Sequence, residues 1–149
     1  MSRSWLFLVP AVALSFALSG SGAASNVTLR TTVNAWSKKL GADAHSVALA
    51  AQRRHPWRMS TSGSRFRSDA LRARAAVAAQ KPSTAAGARA RRLALTALTD
   101  YARAGTKWAA SGRARLAKQR AASVAYAAAG ARYARAGNRL LIAAGKLLH

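Results

Sequence analysis

The sequence offers few side chains that could carry out acid–base or nucleophilic chemistry. It contains three aspartates and three histidines, and it has no glutamate and no cysteine. The closest pair, Asp43 and His45, stands two residues apart on a predicted helix, where the two side chains point in different directions. No zinc-ligand spacing, phosphate-binding loop or nucleophile motif is present. We therefore predict that the protein is not an enzyme and that it holds no metal and no cofactor.

Positive charge is the chemical property that the chain has in excess. Its 25 lysines and arginines face only three acidic residues, Asp43, Asp69 and Asp100, so the formal net charge is +22. A GC-rich genome would favour Ala, Gly and Arg codons, but it would not remove Asp and Glu, whose codons can also be GC-rich. The depletion of acids therefore indicates selection. A chain with this charge attracts anionic polymers, anionic membrane surfaces and nucleic acid without sequence specificity.

Nine basic residues in the last third of the chain share one side of a helical wheel. With Tyr101 set to zero and about 100° per residue, they fall roughly 100° to 260° round. They are Arg103, Lys107, Arg113, Lys118, Arg120, Arg132, Arg135, Arg139 and Lys146. We predict that these side chains contact the polyanion.

A sequence repeat supplies the opposite side of the same wheel. Each copy steps from Tyr to Gly, to an aromatic residue, to Gly and to Leu at helical spacing. The first copy is Tyr101, Gly105, Trp108, Gly112 and Leu116, and the second is Tyr126, Gly130, Tyr133, Gly137 and Leu141. Glycine in a helix costs about 1 kcal/mol relative to alanine, so this seam predicts close helix packing with aromatic side chains between the glycines. An aromatic ladder that stacks nucleobases or sugars is the alternative.

Hydrophobic periodicity and prolines predict an all-α fold. We expect an alanine-rich helical bundle or long helical hairpin of three to four amphipathic helices, at about 28–54, 64–80 and 84–148. Pro56 ends the first helix, residues 57–64 read as a polar loop, and Pro82 separates the second helix from the last. The last segment is either one long helix or a hairpin broken near 112–120. Alanine supplies most of the seam, so we expect a thin core and self-association through the Gly/Ala faces.

The first 25 residues have the pattern of a secretory signal peptide. Arg3 precedes an apolar stretch at 5–18, and small residues follow up to Ser25. The apolar stretch is shorter than the roughly 20 residues that span a bilayer. We expect cleavage after Ala24 or Ser25, which leaves 26–149 as a single cationic helical domain that is secreted or associated with the cell envelope. A retained N-terminal anchor is the alternative.

Export and charge together favour non-catalytic, electrostatic binding of anionic cell-envelope polymers or surfaces. A first alternative is a cationic, antimicrobial-like effector that acts on membranes through the amphipathic helix at 139–148, where Ile142 falls on the basic side of the wheel. A second alternative is a secreted nucleic-acid binder without sequence specificity. In each of these functions the outer Arg and Lys side chains make the contacts.

Overall fold

A computed structural model describes residues 24–148, and four helices account for most of them. They are α1 (Ala24–Gln52), α2 (Pro56–Ala78), α3 (Ala85–Leu116) and α4 (Arg120–Lys146). Residues 24–148 contain no strand, so the prediction of an all-α fold is confirmed. The predicted signal peptide lies outside the described residues except for Ala24 and Ser25, which begin α1.

Each helix packs mainly against its neighbours in the chain. α3 lies between α2 and α4, whereas α1 packs on α2 and contacts α3 only at its margin. The connections at 53–55, 79–84 and 117–119 are short, and short connections make successive helices antiparallel. The central position of α3 means that two of its sides are covered, while α4 has one principal neighbour.

Helix α2 begins earlier in the chain than the sequence predicted. The predicted start was residue 64, but the helix starts at Pro56, so the interpretation of 57–64 as a loop is wrong. Proline suits the first position of a helix because its missing N–H would have no partner there. Met59 and Gly63, four residues apart, are both buried. The segment is therefore helical because one of its sides joins the core.

The segment 84–148 forms a helical hairpin, and its break lies within the predicted range. α3 ends where Lys118 takes a φ of 60°, and the Gln119 N–H donates to the Ala114 carbonyl at 2.8 Å. α1 ends in the same way, with Arg54 at a φ of 54° and the His55 N–H donating to the Ala50 carbonyl at 2.9 Å. Both endings are of the Schellman type, in which the left-handed residue is usually glycine.

The start of α1 is tied to the start of α3 by side-chain hydrogen bonds. Thr84 is the N-cap of α3 and accepts from the Gly87 N–H at 3.0 Å. The Asn26 amide donates to the Thr84 hydroxyl at 2.8 Å and accepts from the Ser83 N–H at 3.2 Å. Cleavage at either predicted site would leave Asn26 and this tie in place.

The crossing of α2 and α3 is a contact of backbone on backbone. A Cβ added to Gly105 would lie 2.6 Å from the Arg67 nitrogen and 2.7 Å from the Gly63 carbonyl oxygen. A Cβ added to Gly112 would lie 2.6 Å from the Ser60 nitrogen. Real Cβ atoms do not approach backbone so closely. Glycine at these positions is therefore what allows the two helices to meet.

On its other side, α3 inserts aromatic rings opposite the glycines of α4. A Cβ on Gly130 would lie 2.6 Å from the Trp108 ring, and one on Gly137 would lie 3.0 Å from the Tyr101 ring. Phe66 of α2 meets the same two rings edge-on, with centroids 5.2 Å from Trp108 and 5.7 Å from Tyr101. This aromatic cluster joins α2, α3 and α4.

The two copies of the repeat differ in burial. Buried members are Tyr101, Gly105, Trp108, Gly112, Gly130, Gly137 and Leu141. Tyr133 is half-buried against the core. Leu116 and Tyr126 are 52% and 37% exposed, which corrects their assignment to the seam. Leu116 is the last residue of α3, and Tyr126 lies on an edge helix that α3 covers on one side.

The hydroxyl of Tyr101 gives a test of the aromatic cluster. It is buried and has no hydrogen-bond partner among the described residues, and burial raises the pKa of the phenol. A buried polar group without a partner costs stability. We therefore expect Tyr101→Phe to leave the free energy of unfolding unchanged or to raise it by up to about 1 kcal/mol, as measured by denaturant unfolding. A decrease of more than about 1 kcal/mol in the free energy of unfolding would mean that ordered water forms a hydrogen bond with the hydroxyl.

Candidate polyanion-binding surface

All three acidic residues of the sequence form ion pairs with basic side chains. Each aspartate has a basic nitrogen within 4.0 Å: Asp43 pairs with Arg65, Asp69 with Lys39, Arg65 and Arg72, and Asp100 with Arg103. Asp43 and Asp69 are also buried. The exposed charge of the helices is therefore almost entirely positive.

Asp43 and Asp69 share one buried site between α1 and α2, and their pKa values move in opposite directions. Burial raises the pKa of Asp43, and the hydrogen bond that it shares with Asp69 raises it further. Burial also opposes ionisation of Asp69, but hydrogen bonds with Lys39 and Asp43 and attraction to Lys39 and Arg72 outweigh burial and lower its pKa. Asp43 Oδ2 accepts no hydrogen bond among the described residues, and a protonated Asp43 can act as the donor in the hydrogen bond with Asp69. Asp69 is thus the more acidic member of the pair.

The outward face of α4 carries the longest row of the predicted contact residues. Arg132, Arg135, Arg139 and Lys146 are all exposed, and at about 1.5 Å per residue they extend over roughly 21 Å. The opposite face of α4 carries the glycines that meet α3. The packing of α4 on α3 therefore directs this basic row away from the core.

Two of the predicted contact residues lie over tyrosines in the groove between α3 and α4. The Arg103 guanidinium is 5.8 Å from the centre of the Tyr133 ring, and Lys107 Nζ is 5.6 Å from that of Tyr126. Both distances suit cation–π attraction. Arg103 also pairs with Asp100. These two cations are therefore already engaged, and Lys107 is the one half-buried member of the predicted nine.

The remaining predicted residues surround the turn between α3 and α4. Arg113, Lys118 and Arg120 are exposed there. The structure thus separates the nine residues into three groups: the groove, this turn and the outward face of α4. The sequence predicts all nine on one side of a single helical wheel, and the hairpin divides them between two helices.

The turn between α1 and α2 adds residues that the sequence analysis did not assign to a site. It lies beside the α3–α4 turn, because a Cβ on Gly112 would be 2.5 Å from the Pro56 carbonyl oxygen. Arg54 and Arg58 are exposed on it, and Trp57 is 65% exposed. The local sequence signal was a tryptophan between basic residues. The sequence assigns Trp57 to a predicted loop, whereas in the structure it lies in the first turn of α2.

Among residues 24–148, no group of three or more His, Cys, Asp or Glu side chains could hold a metal ion. In the same part of the chain, no helix is both long enough and apolar enough to cross a membrane.

Comparisons of the chain with protein-family models, with curated proteins and with solved structures found no match.

Proposed function

We propose that the protein is exported and binds anionic polymers or surfaces of the cell envelope electrostatically, without catalysis. The observation that carries the proposal is the placement of charge. All three aspartate side chains are in ion pairs, while eight of the nine predicted contact residues are exposed. A polyanion that approaches α4 therefore meets a row of cations with no unpaired aspartate beside it among residues 24–148.

The affinity of such a surface comes from neutralising phosphate or carboxylate groups and releasing their counterions. Arg132, Arg135 and Arg139 can each bind an anionic group in a bidentate manner because the guanidinium is planar and always charged. Their spacing along a rigid helix is compatible with a flexible polymer that adjusts to them. Binding of this kind depends steeply on salt and discriminates weakly between polymers.

The burial of the C-terminal segment favours this function over the membrane-active alternative. Leu141 and Ala144 are buried, and Leu140, Leu147 and Leu148 pack against the core. The apolar side of the segment would have to leave the core before it could enter a bilayer. The charged side chains need no such rearrangement to reach a polymer.

The test is co-sedimentation of the exported protein with purified cell walls across a salt series, before and after removal of anionic wall polymers. We expect binding that falls steeply with salt and disappears on stripping. Replacing Arg132, Arg135 and Arg139 by Gln should reduce the slope of log K against log salt by roughly two to three units. The matched control replaces Arg67, Arg74 and Arg89, which are also exposed, and should change the slope less. Failure to sediment at low salt would contradict the proposal.

A further inference from the structure

One end of the molecule combines exposed apolar side chains with cations. We call it the turn end and define it by Arg54, Trp57, Leu116, Lys118 and Val124. Trp57, Leu116 and Val124 are 65%, 52% and 50% exposed, the highest values among the large apolar residues of the described part. Isolated exposed apolar residues are ordinary on protein surfaces, but several together with a defined chemical surrounding indicate an interaction site.

Contacts between the helices bring these apolar residues to the same end. Trp57 directly follows Pro56, whose carbonyl oxygen would be 2.5 Å from a Cβ on Gly112. Leu116 lies one turn beyond Gly112 on the same side of α3, about 6 Å further along the axis. Val124 directly follows Ser123, whose carbonyl accepts from the Ser111 hydroxyl at 2.7 Å. The first turns of α2 and α4 therefore flank the last turn of α3.

The cations of the turn end occupy unusual backbone positions. Arg54 and Lys118 have φ values of 54° and 60°, in the left-handed region where a Cβ is disfavoured and glycine is the usual residue. Two separate helix endings thus retain a basic side chain where glycine would be easier to accommodate. The three aspartates lie at least about 13 Å from the turn end along the helix axes, and each is already in an ion pair. No aspartate therefore offsets these charges.

We propose that the turn end docks on the surface of an anionic phospholipid bilayer. Trp57, Leu116 and Val124 enter the boundary between headgroups and acyl chains. Arg54 and Lys118 pair with lipid phosphates. The indole ring favours this boundary because it has an apolar body and a polar N–H. Stable interfacial binding needs buried apolar area together with attraction to anionic lipid, and the turn end supplies both. A wall polymer would use the charges and leave the apolar side chains without a role.

In this arrangement the helices stay packed and the molecule binds end-on. It therefore differs from insertion of the segment 139–148, which lies at the opposite end of α4. It is also independent of polymer binding by Arg132, Arg135 and Arg139 on the outward face of α4, so either activity can fail while the other persists.

The test measures binding of the full chain to vesicles of phosphatidylcholine with and without phosphatidylglycerol. We expect the double variant Trp57→Ser/Leu116→Ser to bind the anionic vesicles at least tenfold more weakly than the unchanged protein. The matched control Leu71→Ser/Ile142→Ser removes exposed apolar residues elsewhere and should change binding less than twofold. Equal losses in the two variants, or equal binding of the unchanged protein to both vesicle types, would overturn the proposal.

A second readout reports the turn end directly and does not depend on residues 1–23. Because the chain has no cysteine, a polarity-sensitive fluorophore can be attached at Val124→Cys or, as the control, at Leu71→Cys. Anionic vesicles should shift the emission to the blue at position 124 and leave it unchanged at position 71. No shift at position 124 would overturn the proposal even if the chain binds the vesicles.

Arg54→Gly separates docking from folding. Glycine relieves the left-handed backbone, so the melting temperature should rise, while loss of the cation should weaken binding to phosphatidylglycerol vesicles several-fold. Binding to cell walls through α4 should change little. Unchanged vesicle binding in this variant would show that the turn-end cation does not contact lipid, which contradicts the proposal.

Discussion

Gly105→Ala is expected to destabilise the four-helix fold by about 3 kcal/mol. The added Cβ would lie 2.6 Å from the Arg67 nitrogen and 2.7 Å from the Gly63 carbonyl oxygen. Both atoms belong to the backbone of α2, which cannot rotate away as a side chain would. Relief requires α2 and α3 to separate, and separation would also loosen the Gly112 crossing and the contacts of Phe66 with the α3 aromatics. Thermal and denaturant unfolding followed by far-ultraviolet circular dichroism would measure the loss.

Gly41→Ala is the matched control and should have the opposite sign. Gly41 lies in the middle of α1, and a Cβ there would meet nothing within 4 Å. The substitution should therefore stabilise the protein by up to about 1 kcal/mol through helix propensity alone. If Gly105→Ala proved as harmless as Gly41→Ala, the helices could move apart at little cost, and the close crossing would not contribute to stability.

The fold class could be predicted because it depends on local rules, whereas the sequence left one long helix and a hairpin as alternatives for residues 84–148. Helical periodicity, the prolines and the spacing of the repeat are all visible in the sequence. A helical wheel assigns a residue to a face, but it does not say how many neighbours that face has. Tyr101 and Tyr126 occupy the same position in the two copies of the repeat, yet one is buried and the other exposed. The difference arises because α3 lies between two helices and α4 has one principal neighbour.

The start of α2 was missed because composition and tertiary packing disagree there. Residues 57–64 are rich in serine and threonine, which favour turns when nothing else decides. Met59 and Gly63 contribute a buried side that only the packed structure provides. The buried pair of Asp43 and Asp69 could not be predicted either, because its members come from two helices whose register the sequence does not specify.

The candidate surface was predictable in part. Exposure of Arg and Lys follows from the cost of burying charge, so the outward row on α4 could be expected from the wheel. The cation–π contacts of Arg103 with Tyr133 and of Lys107 with Tyr126 depend on the register of α3 against α4. The turn end depends on which turns become neighbours, and only the antiparallel packing of the helices determines this.

Asp69→Asn is expected to lower the free energy of unfolding at neutral pH by about 2 kcal/mol, because hydrogen bonds to charged groups contribute roughly that amount. Lys39 Nζ lies 2.7 Å from Asp69 Oδ2, and the aspartate is buried. The effect is moderated by Asp43, which can ionise more easily once its charged neighbour is gone. Asp43→Asn alone should therefore change stability by less than about 0.5 kcal/mol, and the double variant should lose more than the sum of the two.

The pH dependence of stability follows from the directions of the two pKa shifts. Asp69 has a lowered pKa, so its contribution is present above the ordinary aspartate value of 3.8 and is lost as the pH falls through the folded-state pKa. Asp43 has a raised pKa, so its contribution is present below 3.8 and is lost as the pH rises through its folded-state pKa. Unfolding curves between pH about 2 and 7 should show a weaker acid decline for Asp69→Asn than for Asp43→Asn. The sequence has only one other acidic side chain, Asp100, so an unchanged acid decline in Asp69→Asn would mean that Asp69 is not the carboxylate that binds Lys39 in its ionised form.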